Sequence, residues 1–502
     1  MTEQLTSIDP PSALRPGMQQ YLASLTDRER GAANARLSAL SPTDVMSLGV
    51  SEPQYFEYDY AIEDTRGTLP AELRGTLYRN GPGRWEDYRH RPLRHLFDGD
   101  GMVSRFAIGD GEVRYRNRYV RTRHYRAMGT TRHLGTPAPG GWLANIASPA
   151  PPNLANTNIV KHAGKLFALW EGGPPHELDP VTLQTLGPRR FRGELRWMGS
   201  YSAHPHLCPR SGEMYNFGVE LFPQPHLRMY VTSPQGRLRH LASAGLPYAA
   251  MVHDFAITEN NLVFLVSPII PDTTRLLLGI KTIGESLRYR PDKGSVVIIV
   301  DRNTAQTRTV ETGAVLQFHL SNAYEHGGDI VIDAITYRDG EIVSCIADFR
   351  TQSLQNAPSQ FTRLTVSAQG RITREVISDT VCEFPRHTPR REGLPHRYSY
   401  VASRHHLAAF YDGITKIDLE TNRENTFHTE DPGNSFCEPV FTPRPDGVDE
   451  DDGWLLTVEY EAALHRSRLV VLDARDPGAG PLFTAGLSHH IPQGFHGNFY
   501  AE

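Results

Sequence analysis

The sequence predicts an all-β protein, and among all-β folds a β-propeller. Runs rich in Val, Ile, Phe and Tyr recur from about residue 53 to the end, broken by Gly, Asn, Asp and Pro. The 43 glycines and 37 prolines make about 16% of the 502 residues, against a usual ~12%, a surplus that many turns require. Strand-like runs do not alternate with helical periods, which argues against a parallel doubly wound sheet, and no long linker divides the chain. So many short strands in one unit suit a propeller better than a sandwich.

Residues 1–50 stand apart. Positions 19–40 (QQYLASLTDRERGAANARLSAL) carry helix-forming residues with little β-branching, so an N-terminal extension, partly helical or mobile, is expected. Residues 51–502 are expected to form a single propeller domain. Its strand candidates are KLFALWE (165–171), EMYNFGVEL (213–221), NLVFLVS (261–267), SVVIIVD (295–301), DIVIDAITY (329–337), EIVSCIADF (341–349), WLLTVEYE (454–461) and RLVVLDA (468–474). No repeat recurs at a propeller period, so the pattern alone does not count the blades.

Composition excludes several functions. A net charge of −5 argues against nucleic-acid binding, which needs a basic face. No stretch of about 18 apolar residues offers a membrane-spanning helix. Cys208, Cys345, Cys382 and Cys437 are scattered and form no CxxC pair, which favours a reducing compartment. The opening MTEQLTSIDPPSAL has no basic region followed by an apolar core, so a cytoplasmic location is expected.

The 22 histidines are the first sign of chemistry. His204, His253, His319 and His496 lie beside strand-like runs or turns, at separations of 49, 66 and 177 residues. Those gaps are too long for a local zinc module and suit a site assembled from several blades. Neutral imidazole is a good ligand for Fe, Zn or Cu. Spacing by itself does not select these four among 22.

An ordered set of fragments does. They are LYRNGPG (77–83), HLFDGDGM (95–102), ANTNIV (155–160), ALWEGG (168–173), LDPVTLQTLG (178–187), AHPH (203–206), MVHDF (251–255), FHLSNAYE (318–325), CEFPR (382–386), EPVFTPRPDG (438–447) and GFHGNF (494–499). In this order, from about residue 50 to the C-terminus, the chain resembles the carotenoid cleavage oxygenases. The resemblance implies a seven-bladed β-propeller with a small helical or loop cap on its top face and one Fe(2+) per chain on the axis. It implies His204, His253, His319 and His496 as iron ligands and catalytic residues, with His206 outside the set. Carboxylates of Glu171, Glu383 and Glu438 are then expected behind His253, His319 and His496 in some order, leaving His204 without one. Four neutral ligands leave two octahedral positions, one for O2 as co-substrate. The implied reaction is cleavage of a C=C bond of a carotenoid or apocarotenoid into two aldehyde or ketone products.

The alternative is a stilbenoid-cleaving enzyme of lignostilbene or resveratrol type on the same scaffold. Stilbenoid-cleaving members carry a Lys just before the first of these glutamates, whereas this chain has Trp170, a candidate for the wall of an apolar substrate tunnel. A hydrophobic polyene is therefore the expected small-molecule partner. Residues 268–290 combine apolar positions with Arg275, Lys281, Arg288 and Arg290, as a peripheral membrane contact would. Among other signals, 449–453 (DEDDG) reads as a solvated turn, His326 as exposed, and His95 as a residue beside a turn that could help line the core. The pairs His405-His406 and His489-His490 are poor chelators, because neighbours on a strand face opposite ways.

Overall fold

A computed structural model describes residues 49–50, 52–86, 93–127, 153–196, 199–221, 223–272, 283–349, 357–406, 410–429 and 433–502. The expected N-terminal extension lies almost wholly outside them. The strands form seven antiparallel sheets arranged as blades, plus a two-stranded ladder of Ile269–Pro271 with Leu287–Tyr289. Blades 2 to 6 run in chain order, and their first strands are Asn158–His162, His206–Leu207, Ala256–Ile257, Leu316–His326 and Cys382–Arg386. Blade 7 starts with Ser435–Phe436 and Val440–Pro443, and its outer edge is completed by Asp64–Gly67 from the other end of the chain. Blade 1 runs from Asp59–Ala61 to Gly75–Arg84, and there the last strand, His496–Ala501, pairs as its inner edge. Each chain end thus fills a gap in a sheet built by the opposite end.

Alternating side chains on each strand explain the core. Val263, Leu265, Val297 and Ile299 of blade 4 pack against Leu320, Ile332, Leu364 and Val366 of blade 5. The same layer recurs between blades 3 and 4, between 6 and 7, and between 7 and 1. Each fully buried aliphatic side chain contributes about 1.5–3 kcal/mol, so the seams between blades hold the ring together.

Near the axis the seams become polar. Asn80 Nδ2 of blade 1 donates to Ala155 O and Asn158 O of blade 2, each at 2.9 Å. Asn158 Nδ2 donates to Ala203 O at 2.8 Å, and Ser321 and Ser399 join blades 5 and 6 through their hydroxyls at 2.8 Å. Arg79 Nη1 donates to Glu438 O at 2.8 Å, linking blade 1 to blade 7. The fragments LYRNGPG and ANTNIV thus close the ring of blades, since buried backbone carbonyls need donors.

One strand expectation is corrected. EIVSCIADF forms an α-helix over Glu341–Ala347. Its buried residues Ile342, Val343, Cys345 and Ile346 recur at helical spacing, and its β-branched residues serve that buried face rather than a sheet. Ser359–Val366 takes the next place in blade 5 instead. This helix packs against Leu96 and blade 5 as a cap over the cavity, and Ile283–Ser286 and Arg123–Ala127 are two further short helices among the described residues. The acidic run 449–452 is also no free turn. Lys416 Nζ reaches Asp451 at 2.6 Å, Arg444 Nε reaches Asp452 at 3.0 Å, and Glu450 Oε1 accepts the Arg397 and Tyr398 N–H groups, so the run clasps blades 6 and 7.

Candidate metal centre

The structure brings His204, His253, His319 and His496 together, with one donor nitrogen of each within 4.8 Å of all the others. Nε2 of His204 lies 3.1 Å from Nε2 of His253, which lies 3.1 Å from that of His319, which lies 3.2 Å from that of His496. His204 and His253 immediately precede the inner strands of blades 3 and 4, and His496 opens the inner strand of blade 1. His319 sits inside the first strand of blade 5, where the ladder register shifts between Gln317 and Leu320. Such an irregularity re-aims a side chain, here towards the axis.

The three carboxylates pair one to one with three rings. Glu171 Oε1 contacts His253 Nδ1. Glu383 Oε2 lies 2.5 Å from His319 Nδ1, and Glu438 Oε1 lies 3.0 Å from His496 Nδ1. His204 has no glutamate, and its Nδ1 is 3.9 Å from Asp254 Oδ1. Every blade supplies one group: Glu171 from blade 2, His204, His253 and His319 from blades 3 to 5, Glu383 and Glu438 from blades 6 and 7, and His496 from blade 1.

This arrangement tests the fit of a metal. A ring whose Nδ1–H donates to a carboxylate has an unprotonated Nε2 that can only accept. The Nε2 lone pairs of His253 and His496 lie 3.1 and 3.2 Å from that of His319, which is repulsive until a cation sits among them. Metal–imidazole bonds of about 2.0–2.1 Å set at right angles separate neighbouring nitrogens by about 2.8–3.0 Å, a little under the 3.1–3.2 Å seen. The four buried histidines can hold a metal ion, and the donor set fits a divalent transition metal.

Electrostatics favour the unprotonated ring at His204 and His496, but not at His319. Burial, then the neighbouring imidazoles, hold His204 well below its ordinary range. Burial brings His496 down to about 4 against the pull of Glu438. Burial also opposes a charge on His319, but the Glu383 carboxylate outweighs it and raises this ring. Burial likewise opposes ionisation of Glu438, and Arg386 at 3.5 Å is the largest influence that overcomes it, bringing the carboxyl down to about 2. Glu383 is held below its ordinary value, despite burial, by His319, the Phe384 N–H at 2.6 Å and the Tyr337 hydroxyl at 2.8 Å.

An apolar cavity adjoins the four-histidine cluster. Trp170, Phe97, Phe318, Phe384, Phe410 and Phe495 line it, with Ile342 and Ile346 of the cap helix. His253, His319 and His496 also line it, but His204 does not. Phe384 follows Glu383 at another register shift and has a positive φ of 56°, a conformation costly for a bulky residue. A Cβ on Gly172 would lie 2.4 Å from the Trp170 ring, so this glycine lets the indole lie on the backbone.

Other histidines fall elsewhere. His206 points away from the four, its Nδ1 2.8 Å from Glu392 and its Nε2 3.4 Å from Asp254. His95 is buried and accepts the Phe97 N–H, and His326 is exposed. His405 and His406 follow the strand that ends at Ser403 rather than lying on it, and His489 stacks on Tyr58. Sequence reasoning missed Asp254, Glu392 and Tyr337. For Asp254 a signal was present, an acidic residue directly after a ligand candidate in MVHDF. Glu392 and Tyr337 carried none.

The family model described as retinal pigment epithelial membrane protein matches residues 51–501. Apocarotenoid-15,15'-oxygenase from Synechocystis is 39% identical, over 91% of this chain and 96% of its own. Resveratrol cleavage oxygenase 1 from Aspergillus fumigatus is 29% identical, over 85% and 90%. Among solved structures, cobalt-substituted Synechocystis ACO superposes with a TM-score of 0.84 at 37% identity, covering 92% of this chain and 99% of that one. With the seven blades and the four-histidine centre, these matches establish that the chain belongs to the carotenoid cleavage oxygenase family and is an oxygenase.

Proposed function

We propose that the protein is a non-haem iron(II) dioxygenase that cleaves a C=C bond of a carotenoid or apocarotenoid into two aldehyde or ketone products. The observation that carries the proposal is four converging imidazoles, three of them backed by carboxylates, at the wall of an apolar cavity. His204, His253, His319 and His496 would hold one Fe(2+), and Glu171, Glu383 and Glu438 would fix three of their rings. Bound iron would supply the electrons that spin-restricted dioxygen needs to react with a closed-shell alkene.

The chain's own residues bind, orient and exclude water. The apolar walls draw a polyene out of water, and Trp170 offers it a flat face beside Glu171. Because His204 alone of the four is absent from the lining, the accessible side of the centre faces the cavity. One double bond is thereby held next to the reacting oxygen, the main contribution of the scaffold to rate. The two oxygen atoms of O2 end in the two carbonyls, so no proton is gained or lost overall. That balance agrees with glutamates already committed to imidazole N–H groups. Reversible membrane contact through residues 268–290 completes the proposal, although 273–282 lie outside the described residues.

The test is product mass spectrometry on protein loaded anaerobically with ferrous iron, then given air, an apocarotenal and resveratrol together in micelles. Two shorter carbonyl products from the apocarotenal are expected, and their masses name the bond. Hydroxybenzaldehydes from resveratrol alone would refute the polyene reading in favour of stilbenoid cleavage. His253→Ala should lose both iron and activity, and full activity in that variant would refute the metal reading.

A further inference from the structure

We propose that Asp254 is a positioning residue of the metal centre, the carboxylate that serves the one histidine lacking a glutamate. The inference rests on the four histidines being metal ligands. Asp254 is only 3% exposed, and its polar contacts run to three ligand-bearing blades. Its Oδ2 accepts the N–H of Leu320, the residue after His319, at 2.9 Å. The ladder of blade 5 shifts register on both sides of Leu320, and this N–H turns to Asp254. Its Oδ1 accepts the Phe255 N–H at 2.8 Å, two residues after His253. The same oxygen lies 3.4 Å from His206 Nε2 and 3.9 Å from His204 Nδ1.

One side chain therefore sets the distance between the segments that carry His204, His253 and His319. Glu392 of blade 6 holds the far side of His206 at 2.8 Å, so the string Glu392–His206–Asp254 keeps the carboxylate turned towards His204. At 3.9 Å that carboxylate acts through its field rather than through a direct bond. A cation on His204 Nε2 polarises the opposite Nδ1–H, and Asp254 supplies the compensating negative charge. The fourth ligand is thus served at longer range than the other three. Its carboxylate belongs to the residue next to another ligand, so the two rings cannot move independently.

Cobalt(II) is the probe, because its visible absorption reports ligand geometry without turnover. Wild-type protein is titrated first against a competing chelator. Failure to bind one Co(II) would refute the metal-centre reading itself. Given wild-type binding, Asp254→Asn is expected to weaken Co(II) affinity 10–100-fold, the usual effect of removing a ligand's carboxylate partner, and to shift the visible band. Affinity within twofold of wild type with an unchanged band would overturn the role of Asp254 alone. Asp333→Asn is the control, a buried carboxylate of blade 5 bound by Arg363 at 2.8 and 2.9 Å. It should lower stability but leave the band and affinity in place, and an equal loss there would overturn the inference as a global effect. If Asp254→Asn does not fold, Asp254→Ser, a smaller polar side chain, is judged by the same two readings.

Discussion

Replacing Glu438 by Gln should cost the metal-free protein about 3 kcal/mol at pH 7, and the cost should disappear in acid. Burial raises the energy of the Glu438 charge, yet Arg386 at 3.5 Å, then His496 at 3.0 Å and Arg79 at 3.9 Å, more than offset it. His496 is neutral near pH 7, so at that pH the arginines supply the positive charge and His496 contributes its Nδ1 hydrogen bond. The carboxyl falls from 4.5 to about 2, and at ~1.4 kcal/mol per pH unit this is worth about 3 kcal/mol. The side chain is 2% exposed, so solvent screens little of it. The sign follows from linkage. A carboxyl depressed in the folded state stabilises fully above its unfolded value of about 4.5, and the benefit is lost as pH falls towards 2. Gln and protonated Glu both place a donor where Oε1 or Oε2 now accepts from His496 Nδ1 or Gly497 N, so this mismatch cancels at low pH. Urea unfolding of both proteins from pH 7 to pH 3, under conditions where refolding is reversible, measures the difference. It should shrink steadily below pH 4.5. A difference under about 1 kcal/mol at pH 7, or one that stays constant down to pH 3, would refute the argument.

Two further outcomes follow from close contacts. Gly172→Ala puts a methyl group 2.4 Å from the Trp170 ring and must displace the indole, which lines the cavity. It should raise KM for an apocarotenal about tenfold while leaving metal content unchanged, read by steady-state kinetics and metal analysis. Asn80→Ala removes the donor of two bonds at 2.9 Å and strands the carbonyls of Ala155 and Asn158 at the seam of blades 1 and 2. A loss of about 2–3 kcal/mol is expected in urea unfolding, with the midpoint lowered and the slope unchanged.

Much of the fold was legible in local pattern. SVVIIVD and DIVIDAITY are strands within the residues expected, because β-branched residues suit a half-buried pleated surface. EIVSCIADF misled for the same reason: Ile and Val favour strands, and only the packing of Ile342, Val343 and Ile346 against the core reveals the helix. The blade count was not periodic, since blade 4 carries the 269–289 ladder inside it and blades 1 and 7 draw strands from both chain ends. The four histidines were nameable only through their motifs. Spacing does not show that a register shift turns His319 inward, or that Glu171 belongs to His253 rather than to His496. Those facts arise when seven sheets meet on one axis, and they involve contacts between residues as far as 177 positions apart.

The last strand has a consequence for how the protein matures. His496 is its first residue, paired with Asn80, and Glu438 holds it from blade 7. Until 496–501 docks on 75–80, the ring of blades is open and the cluster has three imidazoles instead of four. Closing the ring of blades and completing the cluster of four imidazoles are one step. A chain lacking residues 496–501 would therefore bring together at most three of the four imidazoles.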